Sequence, residues 1–205
     1  MSTNTIITIE RQYGSGGHLI GEKLAESLGI PFYDSELIKV AAKESGICEE
    51  IFESFDEKPT TSFLYSLVMD PYSLGYNSNS FDLPLNHKVF LAAFDTIKEL
   101  ASKGPCVFVG RCADYILRER EDCLNVFIFA DNESKIERAE KYFNITREEA
   151  PAVLKKKDKA RANHYKYYTD QEWGMASNYD LCLNSGLIGI EGCVKAIQQV
   201  LELTE

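Results

Sequence analysis

Short apolar runs alternate with stretches of helical period along most of the chain. Thr5 to Ile9 reads Thr-Ile-Ile-Thr-Ile, a β-branched run that predicts a buried strand. Arg11 to Gly17 then turns the chain, and Leu19, Ile20, Leu24 and Leu28 recur at helical spacing until Gly29 closes the helix. Ile30 to Tyr33 predicts a second short strand ending at Asp34, with Ser35 capping a helix whose apolar face includes Leu37, Ile38 and Ala41. Val89 to Leu100 is helical in pattern, Gly104-Pro105 breaks it, Cys106 to Val109 is a strand running into Gly110-Arg111, and Ala113 to Leu117 starts another helix. Leu124 to Ala130 predicts the next buried strand, and a charged helix runs from about Glu133 to Tyr142. Thr146 with Glu149 is a capping box that opens a long basic helix. Tyr179 to Asn184 and Glu191 to Leu203 read as a last strand and a last helix.

Alternating strands and helices with short apolar strands predict an α/β fold, a parallel sheet covered on both faces. Ligands of such sheets bind at the carboxyl ends of the strands, so Arg11 to Gly17, Asp34 and Arg111 are expected to converge there. Residues 51–85 are rich in Ser, Asn, Pro and aromatics without a sustained period, and read as an irregular insertion in a single domain spanning residues 1–205.

Composition narrows the partners. The formal net charge of −10 disfavours nucleic acid as a ligand, since that binding needs a basic surface. Charged residues interrupt every apolar stretch and the N-terminus has no basic flank, so neither a membrane span nor a leader is expected, and a cytoplasmic location is. The cysteines, Cys48, Cys106, Cys112, Cys123, Cys182 and Cys193, show no metal-ligand spacing and are expected to be buried reduced thiols. A small phosphorylated ligand needs only a local cationic patch; a homodimer stays open.

The chemistry concentrates at Arg11-Gln12-Tyr13-Gly14-Ser15-Gly16-Gly17-His18, after a strand and before a helix. Small residues there let backbone N–H groups converge on an anion at the positive end of the helix dipole. A dinucleotide-binding G-x-G-x-x-G starting at Gly14 meets Leu19 where its third glycine belongs. The G-x-x-x-x-G-K-[ST] pattern, set with Gly16 as its second glycine, finds Arg11 for the first glycine, Gly17 for the lysine and His18 for the hydroxyl residue.

These segments, with Pro31-Phe32-Tyr33-Asp34, Val109-Gly110-Arg111-Cys112-Ala113-Asp114 and Tyr179-Asp180-Leu181-Cys182-Leu183-Asn184, resemble the cytidylate kinase-like family over nearly the whole chain. The resemblance implies a P-loop NTPase fold of the nucleotide-kinase kind, a three-layer α/β/α sandwich with an irregular insertion and a basic helical lid at about residues 146–178. It also implies ATP as phosphoryl donor with Mg²⁺, and a nucleoside monophosphate or similar small acceptor. On that resemblance Gly14, Ser15, Gly16, Gly17 and His18 would hold nucleotide phosphate, and Asn184 would lie near the donor base. Asp34 would stand near the acceptor or the magnesium, and Lys157 and Arg161 in the run Lys155-Lys156-Lys157-Asp158-Lys159-Ala160-Arg161 would close over the phosphate. With no loop lysine, Arg11, His18 and Arg111 are the candidate cations. A nucleotide-binding regulator without transfer activity and a nicotinamide oxidoreductase are the rival readings. Tyr165, Tyr167, Tyr168 and Trp173 are expected to pack the lid against the body more readily than to stack on a base.

Overall fold

The computed structural model describes residues 4–34 and 85–204, with side chains from residue 90 onward in the second stretch. In chain order the elements are β1 (Ile6–Arg11), α1 (Gly17–Leu28), β2 (Phe32–Tyr33), α2 (Leu85–Ser102), β3 (Val107–Val109), α3 (Ala113–Ile116), β4 (Cys123–Phe129), α4 (Asn132–Phe143), α5 (Ala150–Thr169), β5 (Leu181–Asn184) and α6 (Ser185–Thr204). The strands form one parallel sheet in the order β2-β3-β1-β4-β5. The helix predicted after Ser35 and the insertion predicted over residues 51–85, except for Leu85 at the start of α2, lie outside the described residues.

Period-two alternation sends the apolar strand residues to both faces. Ile7, Ile9, Val107, Val109, Val126 and Ile128 pack under Ile20 and Leu24 of α1 and under Val194, Ile197 and Leu201 of α6. Ile6 and Phe108 face the other way, against Ile97 and Leu100 of α2 and Ile116 of α3. Each such side chain, fully buried, contributes about 1.5–3 kcal/mol. Close approach of α1 to the sheet depends on Gly21, where a Cβ would meet Val109 Cγ2 at 2.7 Å.

The strand order excludes the nicotinamide oxidoreductase. A dinucleotide-binding sheet places β2 beside β1, whereas here β3 lies between them.

Several boundaries differ from expectation: β1 runs on through Arg11, and α2 starts at Leu85, four residues before the predicted Val89. The capping box forms, with Glu149 N donating to Thr146 Oγ1 at 3.3 Å and Thr146 N donating to Glu149 Oε2 at 3.4 Å, but the residues between them make a turn and α5 starts only at Ala150. Element α6 begins at Ser185, and the helix predicted from Glu191 corresponds to its part after a break at Gly189. Gly186, Gly189 and Gly192 weaken the helical signal, and Gly189 (φ 72°, ψ 175°) kinks the element. Of the described cysteines, Cys106, Cys112 and Cys193 are buried as expected, but Cys123 is half-buried and Cys182 exposed.

Toward the carboxyl ends, the α2 and α3 face of the sheet turns polar and α5 covers it. Thr8 Oγ1 donates to Asn125 Oδ1 (2.7 Å), and Trp173 Nε1 donates to Glu10 Oε2 (3.1 Å). The Tyr165 hydroxyl donates to Asp114 Oδ2 (2.6 Å). Asp114 is 6 % exposed and its Oδ1 has no hydrogen-bond partner among the described residues. Burial, and then the Glu10 carboxylate, push the Asp114 carboxyl up to about 7. The fold therefore retains a proton that the unfolded chain releases near pH 4, and this contribution to stability is lost as pH rises from about 4 through 7. Asp114→Asn keeps an oxygen for Tyr165 and carries no titrating group. Denaturation of both proteins from pH 4 to 8 should show the variant gaining on the wild type as pH rises; parallel curves would mean that Asp114 is not the proton carrier.

Candidate functional site

The glycine loop is held by its carbonyl oxygens. Arg138 on α4 donates through Nη1 to Gly14 O (3.3 Å), Ser15 O (3.2 Å) and Ser185 Oγ (3.1 Å), and through Nη2 to Ser185 O (2.8 Å). The buried Ser185 hydroxyl donates to Ser15 O at 2.5 Å. Gln12 N donates to Ile128 O (2.9 Å), while Gln12 Oε1 accepts from Ala130 N (3.4 Å) and Lys135 Nζ (3.3 Å). The turn itself needs Gly14 and Gly16, at φ 77° and 82°, where a side chain would be strained.

Helix α1 starts at Gly17 with no side-chain cap, so its first-turn amides, including those of Gly17 and His18, have no partner inside the helix. Ser15 differs from expectation: its amide and its hydroxyl both donate to Gln12 O, at 3.2 and 2.8 Å, which closes the loop on itself. The Tyr13 amide is also taken, by Asp158 Oδ1 of α5 at 2.6 Å.

Asp34 ends β2, and cations surround it. Its Oδ2 lies 2.5 Å from His18 Nδ1 and its Oδ1 lies 3.6 Å from Arg11 Nη2. Burial pushes the Asp34 carboxyl up, but the His18 hydrogen bond and the charges of Arg11, His18 and Arg111 outweigh it and hold the group below its ordinary range. The same hydrogen bond raises His18, against a smaller opposing effect of burial. Sequence reasoning expected Arg11, Asp34 and Arg111 at one edge, and the structure brings them together with His18 added.

Arg111 stands in an unusual backbone. Gly110, Arg111 and Cys112 are successive left-handed residues at φ 83°, 62° and 55°. Two such non-glycine residues in a row store strain of the kind that collects at ligand-binding edges. Arg111 lines a polar cleft with Glu10, Arg11, Arg161 and His164. Arg161 Nη1 donates to Arg11 O at 2.9 Å, and its guanidinium carbon lies 5.6 Å from the Tyr13 ring centre. Lys157 Nζ lies 6.0 Å from the same ring, at the outer rim of the site. Asn184 is turned to a local task, its Oδ1 accepting from Gly186 N at 3.0 Å. The aromatic residues pack: Tyr168 stacks on Phe90 (3.8 Å between centres) and Trp173 meets Phe127 edge-on (5.4 Å).

On the other flank of the loop lies an apolar cavity of about 270 Å³, walled by Leu19, Ile190, Tyr142 and Phe143 and floored by Gly14 and Gly16. Sequence reasoning did not find this cavity, nor the roles of Lys135, Arg138 and Asp158. Glu10 carried a signal, a carboxylate inside an apolar strand run. A charged residue on a helix carries none, because it reads as a solvated face.

Among the described residues no group of three or more His, Cys, Asp or Glu side chains could hold a metal, and no helix is long and apolar enough to cross a membrane.

Comparison with known proteins agrees with this architecture. No curated protein matches the chain. An uncharacterized protein from Eubacterium ventriosum has a similar structure, with TM-score 0.71 and 26% identity over 97% of this chain and 98% of that one. Lower identities show the same fold. A sugar kinase from Janibacter superposes with TM-score 0.55 at 12% identity over 97% of this chain and 95% of its own. Shikimate kinase from Acinetobacter baumannii, in complex with shikimate, gives TM-score 0.52 at 14% identity over 98% of this chain and 94% of its own. The fold is that of the P-loop kinases. The model of the cytidylate kinase-like family matches residues 6–187, and the chain belongs to that family.

Proposed function

We propose that the protein is a phosphotransferase that moves the γ-phosphoryl group of ATP to a small acceptor such as a nucleoside monophosphate. The observation that carries this reading is the grouping of Arg11, His18 and Arg111 around Asp34, beside a helix start whose amides are uncapped. Phosphoryl transfer asks little of a protein beyond positioning and charge, and this edge supplies both.

In this reading the amides of Gly16 to His18 bind phosphate oxygens, while Gly14 and Ser15 shape the turn. The nucleobase enters the apolar cavity between Leu19, Ile190 and the exposed rings of Tyr142 and Phe143, where one face is apolar and the rim is polar. Asn184 then shapes the start of α6, near the base, through its bond to Gly186. Arg111 and Arg161 neutralise charge on the transferring group from the cleft side, with Lys157 approaching from the rim. Asp34 faces the acceptor hydroxyl or phosphate and takes its proton. Magnesium fits such a site without a protein cage, since it is held mainly by phosphates and water with one or two carboxylates. Asp34 is the carboxylate at the loop that would orient it, and bound magnesium supplies further positive charge to the phosphates. A cytoplasmic location fits unpaired thiols, which burial pushes up to about 12 for Cys106 and about 11 for Cys193.

Release of ADP from ATP and magnesium, followed across a panel of nucleoside monophosphates and small hydroxylated metabolites, tests the reading. Acceptor-dependent release supports it; tight ATP binding with no release for any acceptor would favour a regulator. Arg111 offers a sharper outcome. Arg111→Gly relieves left-handed strain of about 1 kcal/mol and should raise the melting temperature. The same change should lower turnover by at least ~10-fold, since a charge-assisted bond to phosphate is lost. A lower melting temperature with unchanged turnover would make Arg111 a structural pin.

A further inference from the structure

The loop departs from G-x-x-x-x-G-K-[ST] at the first and seventh places together, with Arg11 and Gly17. The two departures are one constraint. A Cβ built on Gly17 would lie 2.5 Å from Arg11 Cβ and 2.8 Å from Arg11 Cγ. Carbon atoms out of covalent contact settle at about 3.5–4.0 Å. Because a Cβ is fixed by its backbone, no rotamer at either residue relieves the first contact. A side chain at position 11 and a side chain at position 17 therefore exclude each other on this backbone. A loop with glycine first has room for lysine seventh, and this loop carries the inverse.

The path of Arg11 shows where the charge has gone. Beyond Gly17 the side chain runs to the end of β3 and lies against Gly110, where an added Cβ would stand 2.8 Å from Arg11 Cζ and 3.1 Å from Nη2. It ends in the ion pair with Asp34, with the side chain 13% exposed. Two glycines thus house one guanidinium at the sheet edge beside the loop.

We infer that Arg11 supplies the cationic contact to the terminal phosphates of the bound nucleotide that lysine supplies in the G-x-x-x-x-G-K form, the charge having moved from the seventh place to the first. This rests on the phosphotransferase reading. A guanidinium suits the task, because its planar fork matches phosphate oxygens bidentately.

Calorimetric titration with AMP, ADP and ATP in the presence of magnesium tests the exchange. Arg11→Gly should weaken ATP at least ~10-fold while changing AMP by less than about threefold, since only the outer phosphates lose a partner. Gly17→Lys alone should also weaken ATP, through the collision with Arg11. Combining Arg11→Gly with Gly17→Lys should restore ATP affinity to within about threefold of the wild type. Combining Arg11→Ala with Gly17→Lys should not, because alanine keeps the obstructing Cβ. Arg11→Met keeps the stem over Gly17 and loses the charge; it serves as the neutral variant should Arg11→Gly fail to fold. The inference is overturned if the neutral variants weaken AMP and ATP alike or leave both unchanged, or if the glycine-lysine exchange binds ATP no better than the weaker single variant. A wild-type protein that binds none of the three nucleotides sinks the phosphotransferase reading and this inference with it; a wild type that binds them while the Arg11 variants match it sinks the inference alone.

Discussion

Carbonyl oxygens of the glycine loop must find donors before its amides can serve a ligand, and one guanidinium does most of that work. Arg138 reaches Gly14 O, Ser15 O and both oxygens of Ser185, tying the loop to α4 and to the start of α6. Buried backbone acceptors left unpaired would destabilise the turn. With the carbonyls committed to the body, the uncapped amides of α1 are what the loop has left to offer. The placement of Asp34, Arg11 and Arg111 then follows from the parallel sheet, which brings the ends of β1, β2 and β3 to one edge.

Much of this was legible in the chain because strand ends are legible. A buried parallel strand is a short apolar run, and whatever follows it arrives at the ligand edge, so Arg11, Asp34 and Arg111 could be placed without coordinates. Helix-borne chemistry was not legible. Lys135 and Arg138 sit one turn apart on α4, a spacing that reads as an ordinary solvated face, yet Lys135 is buried against the loop. Nor does a sequence disclose which amides a loop keeps for itself; the loss of the Ser15 amide to Gln12 O is a matter of turn geometry. The short helical piece from Ser185 to the break at Gly189 was hidden for a different reason, since Gly186 and Gly189 weaken the helical signal there.

The basic helix α5 is held to the body by polar residues within its charged run. Within the run Lys155 to Arg161 the residue that touches the Tyr13 amide is the one acid, Asp158, which also lies 3.6 Å from Lys135 Nζ. Arg161 binds a backbone carbonyl of β1 rather than open space. The helix is thus docked by specific polar bonds at its centre and by the Tyr165–Asp114 bond nearer its end.

The environment of Asp34 links the geometry of the site to the chemistry proposed for it. Arg11, His18 and Arg111 hold its carboxyl ionised, and each of these cations is also a natural partner for phosphate. A polyanion arriving at the loop would compete for them. As the cations turn toward phosphate they stabilise the Asp34 carboxylate less, and the added negative charge nearby favours its protonated form. Its affinity for a proton would then rise as the ligand settles. A carboxylate that is ionised before binding and more basic after it is suited to accept a proton from an acceptor group. The lowered proton affinity of Asp34 is therefore compatible with the role as a base proposed for it, because the groups responsible for it are the ones the substrates would engage.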